Sequence, residues 1–147
     1  GMACGTVKGG FVATFVEVEV AQPSRELIIR NVVTAFECGV IINPRHLESQ
    51  VTGCVLQGLG GALFEEVDFK EGKLTNASLI SYRVPRFSDV PKMKVILLDR
   101  KDLPSSGAGE APIVCIAPAL RNAIDDASGV KLYNLPMLPS GTVPDNT

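Results

Sequence analysis

One carboxylate of the sequence stands where it could act as a general base. Glu110 follows a run of small residues at 105–109, and Pro112 comes two positions later. Small residues allow a backbone to approach a bulky partner, and a proline is typical of the first turn of a helix, whose dipole favours an ionised carboxylate. A base must come within about 3 Å of the proton that it removes. The pattern alone also fits the commoner case of an acidic residue that merely opens a helix.

A second group of residues combines amides with glycines. Gln50 and Gln57 are seven positions apart, which is two helical turns, so they share one helix face. Gly53, Gly58, Gly60 and Gly61 lie in the same segment, and each glycine costs a helix about 1 kcal/mol relative to alanine. A face with two amides and little bulk suits a polar ligand that carries a ring. Tight packing against a neighbouring element is the alternative, and the spacing does not choose between the two.

A third candidate is the segment 82–86, Tyr-Arg-Val-Pro-Arg, in which two arginines flank a rigid turn. Such a pair could hold an anion, and a solvated surface loop is the alternative. The glycines of the chain do not form a dinucleotide-binding fingerprint or a phosphate loop.

Composition limits the class of protein. The chain of 147 residues carries 14 basic and 16 acidic residues without a basic stripe, so no nucleic-acid partner is expected. No apolar run approaches the roughly 20 residues of a membrane span, and no export signal is visible, which favours a cytoplasmic location. The four cysteines are not at metal-ligand spacing and His46 is the only histidine, so no metal site is predicted within the chain. We expect Cys38, Cys54 and Cys115 to be small buried residues, with Cys4 near the terminus.

The hydrophobic pattern indicates the elements that position these residues. Alternation predicts a hairpin of two strands at 11–20 and 26–36, and apolar spacing of three and four predicts a helix at 45–66. The other predicted elements are a small hairpin at 67–74, an extended stretch at 78–84, a buried strand at 94–98 and a second helix at 113–127, with Pro118 inside it and Gly129 as its cap. We predict an α+β fold, a mixed sheet with two main helices packed on one face. It forms a single domain over residues 3–136, followed by a loose tail at 137–147.

The order of the motifs resembles one known family. The motifs are Gly39 with Ile42-Asn43-Pro44, then Gln50-x-x-Gly53-x-x-x-Gln57-Gly58-Leu59-Gly60, then Tyr82-Arg83-Val84-Pro85, then Gly107-Ala108-Gly109-Glu110-Ala111-Pro112. Together they resemble the C-terminal part of the molybdopterin-binding large subunit of the xanthine dehydrogenase and aldehyde oxidase family. The version found here is most similar to isoquinoline 1-oxidoreductase-like and aldehyde oxidoreductase subunits. The resemblance runs from about Phe11 to Pro136.

The resemblance implies a role for individual residues. Glu110 matches the glutamate that acts as the catalytic base beside molybdenum, and Gln50 matches the glutamine that hydrogen-bonds the pterin. The cofactor-binding residues implied in this way are Gln50, Gly53, Gln57, Ser106, Gly107, Ala108 and Gly109. The implied activity is a molybdenum hydroxylase reaction, in which an aldehyde or an N-heterocycle is oxidised with oxygen derived from water.

The resemblance also implies partners, because the family's large subunit is several times longer than this chain. Molybdenum with molybdopterin, or with its cytosine dinucleotide form, would be shared with an upstream segment. The implied partners are the remainder of the large subunit and an iron–sulfur subunit, with iron–sulfur clusters and flavin only on partner subunits. The isolated chain is therefore expected to be inactive. The alternative is a non-catalytic binding or assembly module, or a truncated remnant, derived from that family.

Overall fold

Eight main elements build the chain in the computed structural model, which describes residues 1–145. They are β1 (Met2–Val7), β2 (Gly10–Val20), β3 (Leu27–Glu37), α1 (Pro44–Leu63), β4 (Phe69–Lys70), β5 (Lys73–Leu74), β6 (Lys92–Leu98) and α2 (Ile116–Ser128). Four strands form one sheet in the order β1-β2-β3-β6, in which β3 and β6 are parallel and the other pairs are antiparallel. A parallel pair needs a crossover connection, and α1 lies in it.

Both helices pack on the same face of this sheet, as predicted. Val12, Thr14 and Val16 of β2 are buried, whereas the residues between them remain partly or largely exposed. Successive side chains of a strand point to opposite faces, so only one face is covered. The helices and this face enclose the core, whose largest side chains include Phe36 and Ile116. The fold is the predicted α+β arrangement with a mixed sheet.

The first helix follows its sequence signals closely. Asn43 is the N-cap, and its side chain accepts a hydrogen bond from the backbone N–H of His46 at 3.0 Å, while Pro44 opens the first turn. The apolar positions with helical spacing are buried, as predicted: Leu47, Val51, Cys54, Val55, Leu59, Ala62 and Leu63. The helix ends at Leu63.

The residue at which α2 begins explains why Pro118 is tolerated within the predicted helix. A short 3-10 helix at Ala111–Cys115 precedes α2, so Pro118 falls in the first turn, where its missing N–H costs nothing. Gly129 has a φ of 72° and donates its N–H to the carbonyl of Asp125 at 2.7 Å. The predicted glycine cap is confirmed.

Three segments differ from the sequence predictions. The stretch 78–84 was expected to be extended but turns, because the hydroxyls of Ser78 and Ser81 bond each other and the local backbone. The strand at 94–98 is present as part of β6, yet it is not buried, because β6 is an edge strand with alternating exposure. Strand β1, which pairs with β2, was not predicted.

The expected loose tail also departs from its prediction over much of its length. Met137, Leu138 and Val143 are buried, and the N–H groups of Met137 and Leu138 donate to the carbonyls at the end of α1. These apolar side chains are scattered among prolines and glycines, so the pattern concealed the packing. Residues 146 and 147 of the predicted tail lie outside the described residues. Within residues 1–145, neither helix combines the length and the apolarity needed to cross a membrane.

Candidate functional site

The loop that ends at Glu110 is docked on the turn after β3. The N–H of Ser106 donates to the carbonyl of Cys38 at 2.8 Å, and the N–H of Val40 donates to the carbonyl of Leu103 at 3.2 Å. Between them Gly39 has a φ of +78°, and a Cβ at this position would lie 1.9 Å from the carbonyl oxygen of Pro104. Only glycine fits both demands, so the glycine before Asn43-Pro44 fixes where this loop lies.

The same loop is tied to α1 at a single carbonyl. The Gln50 Nε2 donates to the Gly109 oxygen at 2.5 Å, and the Cys54 Sγ, one helical turn further, donates to it at 3.3 Å. Burial, and after it the charge of Glu110, raises the pKa of the Cys54 thiol, which keeps it protonated and able to donate. The predicted residues Gln50 and Gly109 are thus brought together. Cys54 was missed as a site residue, because in sequence it is only one more buried position.

The glycines of α1 divide into two kinds. A Cβ on Gly58 would lie 2.8 Å from the Cβ of Ile116, and one on Gly60 would lie 2.8 Å from the ring of Pro85. A Cβ on Gly53 or Gly61 would meet nothing within 4 Å. The packing interpretation therefore holds for the first two glycines, and the open-face interpretation holds for the others.

Four positions of α1 with helical spacing form a narrow open surface, which we call the amide–glycine stripe: Gln50, Gly53, Gln57 and Gly61. A cavity of about 330 Å³ lies at its start and is lined by Gln50, Ser106, Ala108 and Gly109, among others. A larger cleft of about 810 Å³ lies further along and is lined by Gln57, Pro85, Phe87 and Ile113, among others. Predicted site residues thus line both concavities.

One buried polar atom borders the smaller cavity. The hydroxyl oxygen of Ser106 is shielded from solvent and has no hydrogen-bond partner among residues 1–145. A buried polar atom without a partner costs roughly 1–3 kcal/mol, and rotation of the Ser106 side chain towards the cavity would let a polar ligand relieve that cost. Gly107, the next residue of the loop, lies close to the side chain of Lys8.

Glu110 lies at the surface beside this loop, with its side chain 58% exposed. It opens the 3-10 helix without capping it and instead pairs through Oε1 with the ammonium group of Lys8, in the turn between β1 and β2. The hydrogen bond and the charge of Lys8 lower the pKa of the Glu110 carboxyl. Lys8 was missed because β1, which positions it, was not predicted from sequence.

The two arginines of the segment 82–86 have different surroundings. Arg83 stacks over the ring of Phe64 at 4.0 Å and lies 3.9 Å from a carboxylate oxygen of Asp89, whereas Arg86 is exposed. Arg83 therefore serves internal packing, which neither sequence interpretation had foreseen. Pro85 between them contributes a wall of the larger cleft.

The cysteines are free: Cys38, Cys54 and Cys115 are buried, as predicted, and Cys4 is exposed. Within the described part of the chain, no three side chains of histidine, cysteine, aspartate or glutamate are grouped so as to hold a metal ion.

Comparison with known proteins identifies relatives for most of the chain. Residues 6–91 match the family described as a molybdopterin cofactor-binding domain. The chain is 36% identical over 134 residues to PaoC, the molybdenum-binding subunit of an aldehyde oxidoreductase from Escherichia coli; this covers 86% of the chain and 18% of PaoC. It is 31% identical over 140 residues to the isoquinoline 1-oxidoreductase subunit beta of Brevundimonas diminuta, covering 95% of the chain and 18% of that subunit.

A solved structure agrees with these relatives. The crystal structure of quinoline 2-oxidoreductase from Pseudomonas putida matches with a TM-score of 0.77 and 27% identity, covering 90% of this chain and 18% of that one. The chain therefore spans only 18% of the length of each of these three proteins. The resemblance read from the ordered motifs is confirmed.

Proposed function

Because the chain belongs to the molybdopterin cofactor-binding domain family, we propose that it is one component of a molybdenum hydroxylase, to which it contributes Glu110 and one wall of the pterin site. The substrate would be an aldehyde or an N-heterocycle, and the transferred oxygen would come from water. The remainder of the large subunit and an iron–sulfur subunit would complete the enzyme, with iron–sulfur clusters and flavin on partner subunits.

The observation that carries this proposal is the attachment of the Gly109 carbonyl to α1. Gln50 and Cys54 hold this carbonyl, and Glu110 is the next residue. A base is effective only when its distance from the reacting group is fixed. The attachment holds the backbone that precedes Glu110 against α1, next to Gln50 of the amide–glycine stripe.

Features of this chain fit a large flat cofactor along the stripe. Gly53 and Gly61 leave open space where side chains would otherwise stand, and the exposed amide of Gln57 lies between them. Ser106 and the neighbouring Ala108 and Gly109, which line the smaller cavity, would border the other side. When bound, molybdenum with molybdopterin, or with its cytosine dinucleotide form, would supply the two-electron oxidation chemistry.

Glu110 has the protonation state that a base requires. A glutamate at its ordinary pKa is already ionised at neutral pH, and Lys8, which lowers the pKa of this carboxyl, keeps it so. Lys8 pairs with Oε1, which leaves Oε2 to accept a proton from the water-derived oxygen. Gln50 would have two roles: its nitrogen donates to the Gly109 carbonyl and holds the loop, and its amide oxygen would be free to accept a hydrogen bond from the pterin.

The test is to produce the chain with the longer molybdenum-subunit segment from the same genome, and to measure molybdenum, pterin fluorescence and hydroxylase turnover. We expect Glu110→Gln to keep both cofactor components and to lose turnover by at least 10²-fold, the lower range for general base catalysis. Glu71→Gln, in the exposed turn between β4 and β5, is the matched control. Full turnover of Glu110→Gln would contradict the proposed base.

The exposed apolar side chains on the open face of the sheet favour one alternative function. An assembly module derived from the same family would present such a surface to a partner without contributing to catalysis. The same preparation distinguishes the two, because a stable complex that contains neither molybdenum nor pterin would support the assembly module.

A further inference from the structure

The face of the sheet opposite the helices is a contiguous apolar surface. The strand register places twelve of its side chains in three rows that cross all four strands. The rows are Met2, Phe15, Val33 and Lys94; then Cys4, Ala13, Ala35 and Ile96; then Thr6, Phe11, Glu37 and Leu98. Nine of these twelve are apolar, and the two phenylalanines are 59% and 50% exposed. A large exposed apolar patch in a soluble protein indicates an interaction site.

This face is shaped as a furrow. The middle row consists mostly of small side chains, and Phe11 and Phe15 stand on either side of Ala13 along β2. Four residues of a strand span about 13 Å, which is slightly more than the roughly 10 Å diameter of an α-helix. A cavity of about 380 Å³ lies on the Phe11 side of the furrow and is lined by Cys4, Phe11, Ala13, Ala35 and Leu98, among others. One helix lying across the strands would fill it.

Two observations point to the occupant. The chain corresponds to only 18% of the length of its relatives, so in those proteins the matching sheet is one piece of a much longer polypeptide. The furrow also has a charged end, because Lys94 and its neighbour Lys92 are exposed along the β6 edge. An acidic side chain beside the apolar stripe of the occupant would pair with them.

We propose that the furrow between Phe11 and Phe15 is the docking surface for an amphipathic helix of the remainder of the molybdenum-binding subunit. This rests on the proposed function, in which the chain is one component of that subunit. The occupant presents apolar side chains at helical spacing to the furrow and an acidic residue to Lys94. It covers the face opposite the helices, so the amide–glycine stripe of α1 stays available to the cofactor.

Cys4 provides a direct reporter, because it lies in the middle row and is exposed, whereas Cys38, Cys54 and Cys115 are buried. The experiment co-produces the tagged chain with Escherichia coli PaoC from which the segment aligned to this chain is deleted. The purified complex and the chain alone are then alkylated with iodoacetamide. We expect alkylation of Cys4 to slow by at least tenfold in the complex.

Substitutions test the same surface independently. Phe15→Asp should weaken association at least tenfold, and Phe69→Asp, at an exposed phenylalanine of the small hairpin, should leave it unchanged. Circular dichroism and the melting temperature of each variant establish that it is folded. The footprint of Cys4 needs no substitution, so it decides the matter even if Phe15→Asp fails to fold.

The possible results separate this inference from the proposed function. If PaoC binds while Cys4 keeps its reactivity, the docking surface lies elsewhere and only the furrow is overturned. If the truncated PaoC does not bind at all, the furrow proposal fails, whereas the component role is decided separately by the complex with the longer segment from the same genome. If sedimentation shows that the chain alone is a dimer whose Cys4 is protected, the occupant is a second copy and the proposal is wrong.

Discussion

The two helices lie side by side on one face of the sheet but are built differently. Helix α2 contains no glycine and buries one stripe of five side chains: Ile116, Ala119, Leu120, Ala123 and Ile124. Helix α1 contains four glycines, of which Gly58 and Gly60 face close neighbours while Gly53 and Gly61 face open space. Each glycine lowers the stability of a helix by about 1 kcal/mol relative to alanine. The sequence of α2 is explained by its packing, whereas the glycines Gly53 and Gly61 of α1 have no packing contact that explains them. The unexplained part of α1 is the amide–glycine stripe.

The largest expected effect tests whether the buried stripe of α2 is packed in the core. Leu120 has no exposed surface, so Leu120→Ala should lower the free energy of unfolding by about 2–5 kcal/mol in a urea titration. Leu135→Ala, at a side chain that is 65% exposed, should change it by less than about 0.5 kcal/mol. Equal effects at the two positions would mean that Leu120 of α2 is not packed in the core.

The next effect tests the glycines that are explained by packing. Gly58→Val places its side chain against Ile116, where even a Cβ would be 2.8 Å from its neighbour, and overpacking of this kind costs about 1–3 kcal/mol. Combining it with Ile116→Ala should restore part of the loss, so a double-mutant cycle should show a favourable coupling. Additive effects would mean that the two positions do not touch in solution.

A smaller effect of opposite sign tests the glycines that face open space. Gly53→Ala and Gly61→Ala should each raise the free energy of unfolding by about 0.5–1 kcal/mol, because alanine is the better helix former and nothing obstructs it. In the assembled enzyme the same substitutions should lower the pterin content, since the added methyl groups intrude on the stripe. Greater stability with unchanged pterin content would show that the stripe does not hold the cofactor.

The contrast between the helices also shows what the sequence could predict. The start of α1 at Asn43-Pro44, its buried positions and the end of α2 at Gly129 follow from local signals that act within one or two turns. Which glycines were packed did not follow, because Ile116 and Pro85 approach α1 from distant parts of the chain. Local sequence patterns define where a helix begins and ends, whereas contacts with distant parts of the chain determine which of its faces are packed and which are open.

The same reason explains the site residues that were missed. Lys8 reaches Glu110 across 102 positions, and the strand that precedes it has mostly small side chains and a single polar one, Thr6, so it shows little polar–apolar alternation. Cys54 had the spacing of a core residue and is indeed buried, and only the approach of Gly109 gives its thiol a second role. The candidate residues on the glycine loop and on α1 were found because their motifs are local. Their positioning partners were not, because those contacts exist only in three dimensions.

The smallest effect concerns the starts of the two helical regions. Asn43 caps α1 with its own side chain, whereas Glu110 leaves its 3-10 helix uncapped and pairs with Lys8. Lys8→Met should therefore raise the pKa of the Glu110 carboxyl towards its ordinary value, as measured by a carbon-detected NMR titration of the chain. Lys101→Met, which removes an exposed charge near Asp99, should leave the pKa of Glu110 unchanged.

The sign of the linked pH effect follows from the direction of this shift. Since pairing lowers the pKa of the folded carboxyl, its contribution to stability is present above the ordinary glutamate pKa and is lost as the pH falls through the lowered one. Lys8→Met should remove this dependence, and the effect should be small because the pair is exposed and screened by salt. An unchanged Glu110 titration would mean that the pair does not persist in solution. The carboxylate would then be held beside α1 only by the attachment of Gly109 to Gln50 and Cys54.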